Sequence, residues 1–145
     1  MNRSLWGWSP PPLAADTPVK RLVDRWLPRT GFELIVFYAV IVLMLNFALH
    51  LPRRGELALD GTAALLAGAW CALNFWRCRH AHCVVTASGW LVLALLAFGE
   101  AGLGRSLIHG DEQLIFLAVL PVGVAFEFAW SRARGSNAIG GCLPA

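Results

Sequence analysis

Residues 86–103 read TASGWLVLALLAFGEAGL, an apolar run with a single ionisable side chain, Glu100, and no proline. At a rise of about 1.5 Å per residue, a helix over this run is long enough to approach the thickness of a hydrocarbon core of about 30 Å. Three more runs behave alike: GFELIVFYAVIVLMLNFALH at 31–50, GTAALLAGAWCALNFW at 61–76 and QLIFLAVLPVGVAFEFAW at 113–130. The expected fold is therefore an all-α integral membrane protein with four transmembrane helices, spanning about 31–50, 61–78, 87–103 and 112–131 within a domain over residues 30–132. With 57% of 145 residues hydrophobic and only 14% charged, the composition excludes an ordinary soluble domain.

The first apolar run follows thirty residues of mixed, proline-containing sequence, which differs from the short basic start of a cleaved secretory signal. Insertion without cleavage is expected. The ending Cys142-Leu143-Pro144-Ala145 matches a prenylation box only formally, because Pro144 occupies an aliphatic position.

Charge orients the bundle. Of 12 Lys and Arg residues, Arg3, Lys20, Arg21, Arg25, Arg29, Arg77, Arg79, Arg132 and Arg134 fall on one side of the four spans; only Arg53, Arg54 and Arg105 fall on the other. The positive-inside bias places the first set in the cytoplasm, so both termini are expected there, in the cell's inner membrane. Trp26, Trp76, Trp90 and Trp130 are read as headgroup-level rings at the same face. The net charge of +3 reports this orientation and implies no nucleic-acid partner.

Ahead of the spans, residues 1–16 carry Trp6, Trp8 and Pro10-Pro11-Pro12 and read as an extended arm. Residues 17–29 read as an interfacial amphipathic helix, with Val19, Leu22, Val23, Trp26 and Leu27 on one face and Lys20, Arg21, Asp24 and Arg25 on the other. Thr30 and Glu33 form a capping-box pattern for the first span. Asp60 and Asp111 are expected caps of the second and fourth spans, and Thr86 or Ser88 of the third. Ala64, Gly68 and Ala72 repeat every four residues, the spacing that lets another helix approach closely in lipid. Pro121 and Gly123 are expected to kink the fourth span. Residues 133–145 form a C-terminal tail, and no internal repeat relates the two halves.

The stretch NFWRCRHAHCVVT at 74–86 carries what chemistry the sequence offers, two cysteines and two histidines close together. In a reducing cytoplasm such thiols suit metal binding or redox work better than a structural disulfide. Candidate metal ligands are Cys78, His82, Cys83, Cys71 and His80; if the second helix continues, Cys71, Asn74, Cys78 and His82 share a face. Structural zinc is disfavoured, because no second Cys-x-x-Cys or histidine pair completes a tetrahedral set. A soft metal ion, Hg(II)- or Cu(I)-like, is the expected cofactor or cargo. The alternative reading makes Arg77, Arg79 and the histidines headgroup-level charge, and Cys71 by itself reads as a packing residue before a ligand.

The pattern Asn74-x-x-Arg77-Cys78-x-x-x-His82-Cys83-x-x-Thr86 resembles that of a group of small, mostly uncharacterised prokaryotic multi-span membrane proteins, in which it links two spans. The resemblance implies that these six residues act together; it implies no activity. In that group the threonine precedes Gly-Pro, whereas Ala87-Ser88 stand here.

Two further ionisable residues lie inside the spans, where their cost marks them out. Glu127 lies near the cytoplasmic end of the fourth span within reach of Arg77; Glu100 lies toward the outer end of the third, near His50, Arg105 and His109. Both are read as structural pairs or as parts of an ion path. The leading expectation is a protein that binds or moves a soft cation past Glu100 and Cys71 to Cys78, His82 and Cys83. The alternative is a non-catalytic accessory subunit that contacts partners through its arm and the Ala64/Gly68/Ala72 face. A thiol oxidoreductase ranks third, since Cys78 and Cys83 lack Cys-x-x-Cys spacing. Expected partners are the lipid bilayer and a second copy or other membrane subunits.

Overall fold

The computed structural model describes residues 31–137 together with Pro18, Arg21, Arg25 and Ile139. The expected arm, most of the interfacial helix, Thr30 and Cys142 lie outside the described residues, as do the side chains of Arg77 and Cys78. The described chain is all-α, with helices α1 (Gly31–Ala48), α2 (Arg53–Cys78), α3 (Ala81–Leu103) and α4 (Glu112–Arg134). Three of them, α2, α3 and α4, are long and apolar enough to cross a membrane, and α1 is a shorter apolar helix over Phe32–Ala48. Chain ends and turns alternate, so the α2–α3 turn shares one end of the bundle with the start of α1 and the end of α4.

The α2–α3 hairpin forms the most extensive packing, α4 leans on α3, and α1 leans on α2. The apolar core lies among Ile41, Leu45, Ala63, Ala64, Ala67, Cys71, Ala87, Trp90, Leu93, Ala94 and Phe116. At Gly68 a Cβ would stand 2.9 Å from Leu91 Cγ and 3.0 Å from the Leu91 backbone nitrogen, so the small-residue face is where α3 of the same chain closes on α2. On that face Ala64 is fully buried within the chain and Leu91 covers Gly68. The outward faces of α1 and α4 are apolar instead: Phe32, Ile35, Leu43, Leu114, Leu117 and Phe128 are all exposed. Surfaces of that extent are compatible with a membrane protein.

Helix boundaries differ from the sequence expectation in an instructive way. Helix α2 begins at Arg53, behind Pro52, so Asp60 sits inside the helix and accepts from Gln113 Nε2 at 3.2 Å instead of capping it. Helix α3 begins at Ala81, so Thr86 and Ser88 also lie inside; their hydroxyls return to His82 O at 2.9 Å and Val84 O at 2.8 Å. Backbone hydrogen bonding runs past the apolar stretch that hydropathy detects. Asp111 does occupy the N-cap of α4 but makes no side-chain cap bond. Helix α4 runs through Pro121 to Arg134 as one element. Trp90 is no boundary ring: it is buried mid-helix, stacked on Phe116 at 5.3 Å, with its Nε1–H donating to Phe116 O at 2.9 Å.

Candidate metal centre at the turn between the second and third helices

The second helix does not continue through the cysteine and histidine stretch. It stops at Cys78 because Arg79 turns left-handed, φ 54°, and sends its N–H to Phe75 O at 3.0 Å. A non-glycine residue adopts this conformation at a cost, which here is offset by the guanidinium lying 5.1 Å over the Phe75 ring and 5.4 Å over Trp76. His80 is extended and occupies the N-cap of α3. Cys78 and His82 therefore do not share one helix face; the turn between α2 and α3 is only Arg79 and His80.

This tight reversal sets His80, His82 and Cys83 at the start of α3 and aims the two histidines at α4. There Glu127 receives both rings: His80 Nδ1 lies 3.1 Å from Oε1, and His82 Nδ1 meets Oε2. The imidazole centroids are 5.5 Å apart. Helix α4 can come this close because Gly123, one turn before Glu127, has no side chain. A Cβ there would stand 2.5 Å from the Thr86 methyl, and Thr86 is one turn beyond His82. Gly123 thus matters as a close contact.

The segment after α4 closes over the same spot. Asn137 O accepts from Ala81 N at 2.9 Å, and Ile139 N donates to Arg79 O at 2.8 Å. The Asn137 side chain is buried, with Nδ2 3.1 Å from His80 Nδ1 and donating to Glu127 Oε1 at 3.2 Å. On the other side, Cys83 is fully buried. Its Sγ lies 3.4 Å from His82 Nε2 and accepts from Asn74 Nδ2 at 3.8 Å.

One donor atom from each of His80, His82 and Glu127 lies within 4.8 Å of the others, and among the described residues no other three His, Cys, Asp or Glu side chains are so placed. Two imidazoles and a carboxylate are donor types that hold a divalent ion at about 2.0–2.2 Å. The arrangement also brings a carboxylate from a second segment beside the histidine pair. Of the residues expected at the site, the structure brings together Asn74, His80, His82, Cys83 and Glu127. Cys71 is buried in the core, and both it and Cys83 lie within electrostatic reach of Tyr38. The side chains of Cys78 and Arg77 are outside the described residues. Asn137 was not anticipated at all; nothing in a polar tail residue marks it as a clamp.

Glu100 belongs to the opposite end. It is fully buried, and its Oε1 accepts the backbone N–H groups of Leu107 and, at 3.3 Å, of Ile108, so it fastens the α3–α4 loop. Its partners are loop amides where His50, Arg105 or His109 were expected. Between Glu100 and Cys83 the core is apolar, filled by Leu93, Ala94, Trp90 and Phe116.

No family model matches the chain, and no curated protein or solved structure is significantly similar to it.

Proposed function

We propose that this protein binds one transition-metal ion at His80, His82 and Glu127, at the end of a membrane-embedded bundle that faces the cytoplasm. The observation that carries the reading is the convergence of two imidazoles and a carboxylate within 4.8 Å from separate helices. Ionisable groups within a span are expensive, and His80 is buried with Glu127 only partly exposed, so their charges call for compensation by protons or by an ion. The six motif residues are read as one unit around this centre. The sequence expectation is a thiophilic ion such as Hg(II) or Cu(I); the donors that converge here are two imidazoles and a carboxylate, with the Cys83 sulfur beside the second nitrogen of His82.

Binding is a better description than movement for the single chain. An ion travelling between Glu100 and the centre would have to pass the stacked pair Trp90 and Phe116 in an apolar core, where the Cys71 thiol offers little to replace its hydration.

Purified protein titrated with a transition-metal ion in detergent should take up one equivalent per chain. Affinity should fall as the pH is lowered, because protons compete for imidazole and carboxylate lone pairs. A parent chain that takes up no ion would sink the reading and transfer weight to an accessory-subunit role on the apolar faces of α1 and α4.

Orientation has its own test. Arg79, Arg132 and Arg134 lie over aromatic rings at the site end, the arrangement of a cytoplasmic headgroup belt. Since Cys83 is buried, labelling is better read at exposed positions. In intact cells an impermeant thiol reagent should spare Arg134→Cys and modify Arg105→Cys, each in a chain carrying Cys78→Ser and Cys142→Ser. The reverse pattern would invert the topology.

A further inference from the structure

We infer that Cys83 does not hold the ion but orients His82 toward it, so that the centre selects a borderline divalent cation of the zinc class instead of a soft thiophilic one. This rests on the metal-binding reading above and gives the motif's cysteine a different task from the one its spacing advertises.

The argument starts from the two nitrogens of one ring. His82 turns Nδ1 to Glu127 Oε2, on the side where His80 Nδ1 also points, and turns Nε2 to Cys83 Sγ at 3.4 Å. A neutral imidazole carries its proton on one nitrogen only; the nitrogen that binds a cation is the one without it. With Nδ1 on the ion side, Nε2 keeps the proton and donates it to the sulfur. The two nitrogens leave the ring in divergent directions, so a sulfur in line with Nε2 lies outside the reach of an ion on Nδ1.

Metal-bound histidines characteristically donate their other N–H to an acceptor that fixes the ring and raises its basicity. Cys83 has the placement for that role. It is fully buried at the first turn of α3, and its sulfur is held from the far side by the Asn74 amide at 3.8 Å. A relay results: Asn74 positions Cys83, Cys83 positions His82, and His82 faces Glu127 across the site. From the other direction Asn137 holds His80 and Glu127. Among the described residues the donors that remain for the ion are two nitrogens and one carboxylate. Imidazole suits Zn(II), Co(II) or Ni(II), and carboxylate is a poor partner for Hg(II) or Cu(I).

Co(II) is the probe, because thiolate coordination adds an intense sulfur-to-cobalt charge-transfer band in the near ultraviolet that nitrogen and oxygen ligands do not give. The parent and Cys83→Ser are expected to bind one Co(II) each, displaceable by Zn(II), with superimposable near-ultraviolet spectra. Serine can still accept the His82 Nε2–H, so Cys83→Ser should keep affinity near the parent's. Cys83→Ala, which cannot, should weaken binding by about 10–100-fold, the usual cost of losing the acceptor behind a ligating histidine. Helical circular dichroism of both variants separates this from misfolding.

A charge-transfer band present in the parent and lost in Cys83→Ser would make Cys83 a ligand and overturn the inference while leaving the metal centre in place. So would a serine variant as weak as the alanine one, or an alanine variant equal to the parent. If the folded parent binds neither Co(II) nor Zn(II), the metal-binding reading fails and this inference with it.

Discussion

Glu127→Gln should remove measurable metal binding while leaving a folded protein, and it should do so more completely than any change at a cysteine. The carboxylate is the one charged donor in the cluster and the one contributed by α4, so its replacement removes both the negative charge and the oxygen that join the two halves of the site. Loss of an acceptor behind a ligand costs about 10–100-fold in affinity; loss of the anionic ligand itself should exceed that. His82→Ala is expected to match it, since it removes the nitrogen facing Glu127 Oε2. Glu100→Gln is the informative control, because Glu100 is equally buried but fastens the loop at the other end. Isothermal titration with Zn(II) on the four proteins decides the matter. Equal affinity in Glu127→Gln and parent would mean that the carboxylate only hydrogen-bonds two histidines. In that case the substitution should appear as a stability loss on the order of 1–3 kcal/mol, because the glutamine carbonyl can accept from only one of the two imidazoles.

Gly68→Leu should be the most damaging single substitution for the bundle. A Cβ at Gly68 already meets the Leu91 backbone nitrogen at 3.0 Å, and backbone cannot rotate aside as a side-chain tip can. Overpacking of a close-packed interior typically costs about 1–3 kcal/mol. A leucine wedged against backbone between the two most extensively packed helices belongs at or above the upper end of that range. The effect should reach the metal centre as well, because the same α2–α3 hairpin carries the reversal at Arg79 and His80. Gly99→Leu, where no atom lies within 4 Å of the added Cβ, and a change at exposed Leu66 should leave thermal unfolding in detergent near the parent's. Melting of Gly68→Leu at the temperature of Gly99→Leu would show that the close approach is dispensable.

The motif's members were legible as a group because cysteine, histidine and asparagine are crowded into one short segment. Their roles were not, and the reason is local geometry. A left-handed Arg79 is invisible to spacing arguments, which carry a helix onward until a proline or glycine stops it. Once the chain reverses there, Cys78 and His82 part company. His82 is turned instead toward a carboxylate that sequence reasoning had assigned to Arg77.

By itself the sequence determined that the chain is helical and apolar, where its four hydrophobic runs lie, and that Gly68 belongs to a close helix contact. Those properties depend on composition and periodicity, which are written along the chain. Only the tertiary structure decided which helix meets Gly68, how far each helix extends beyond its apolar run, and that Glu127 and Asn137 complete the histidine pair. Convergence of side chains distant in sequence depends on the hand of a two-residue turn and on the missing side chain at Gly123. Neither quantity has a period or a spacing from which it can be read.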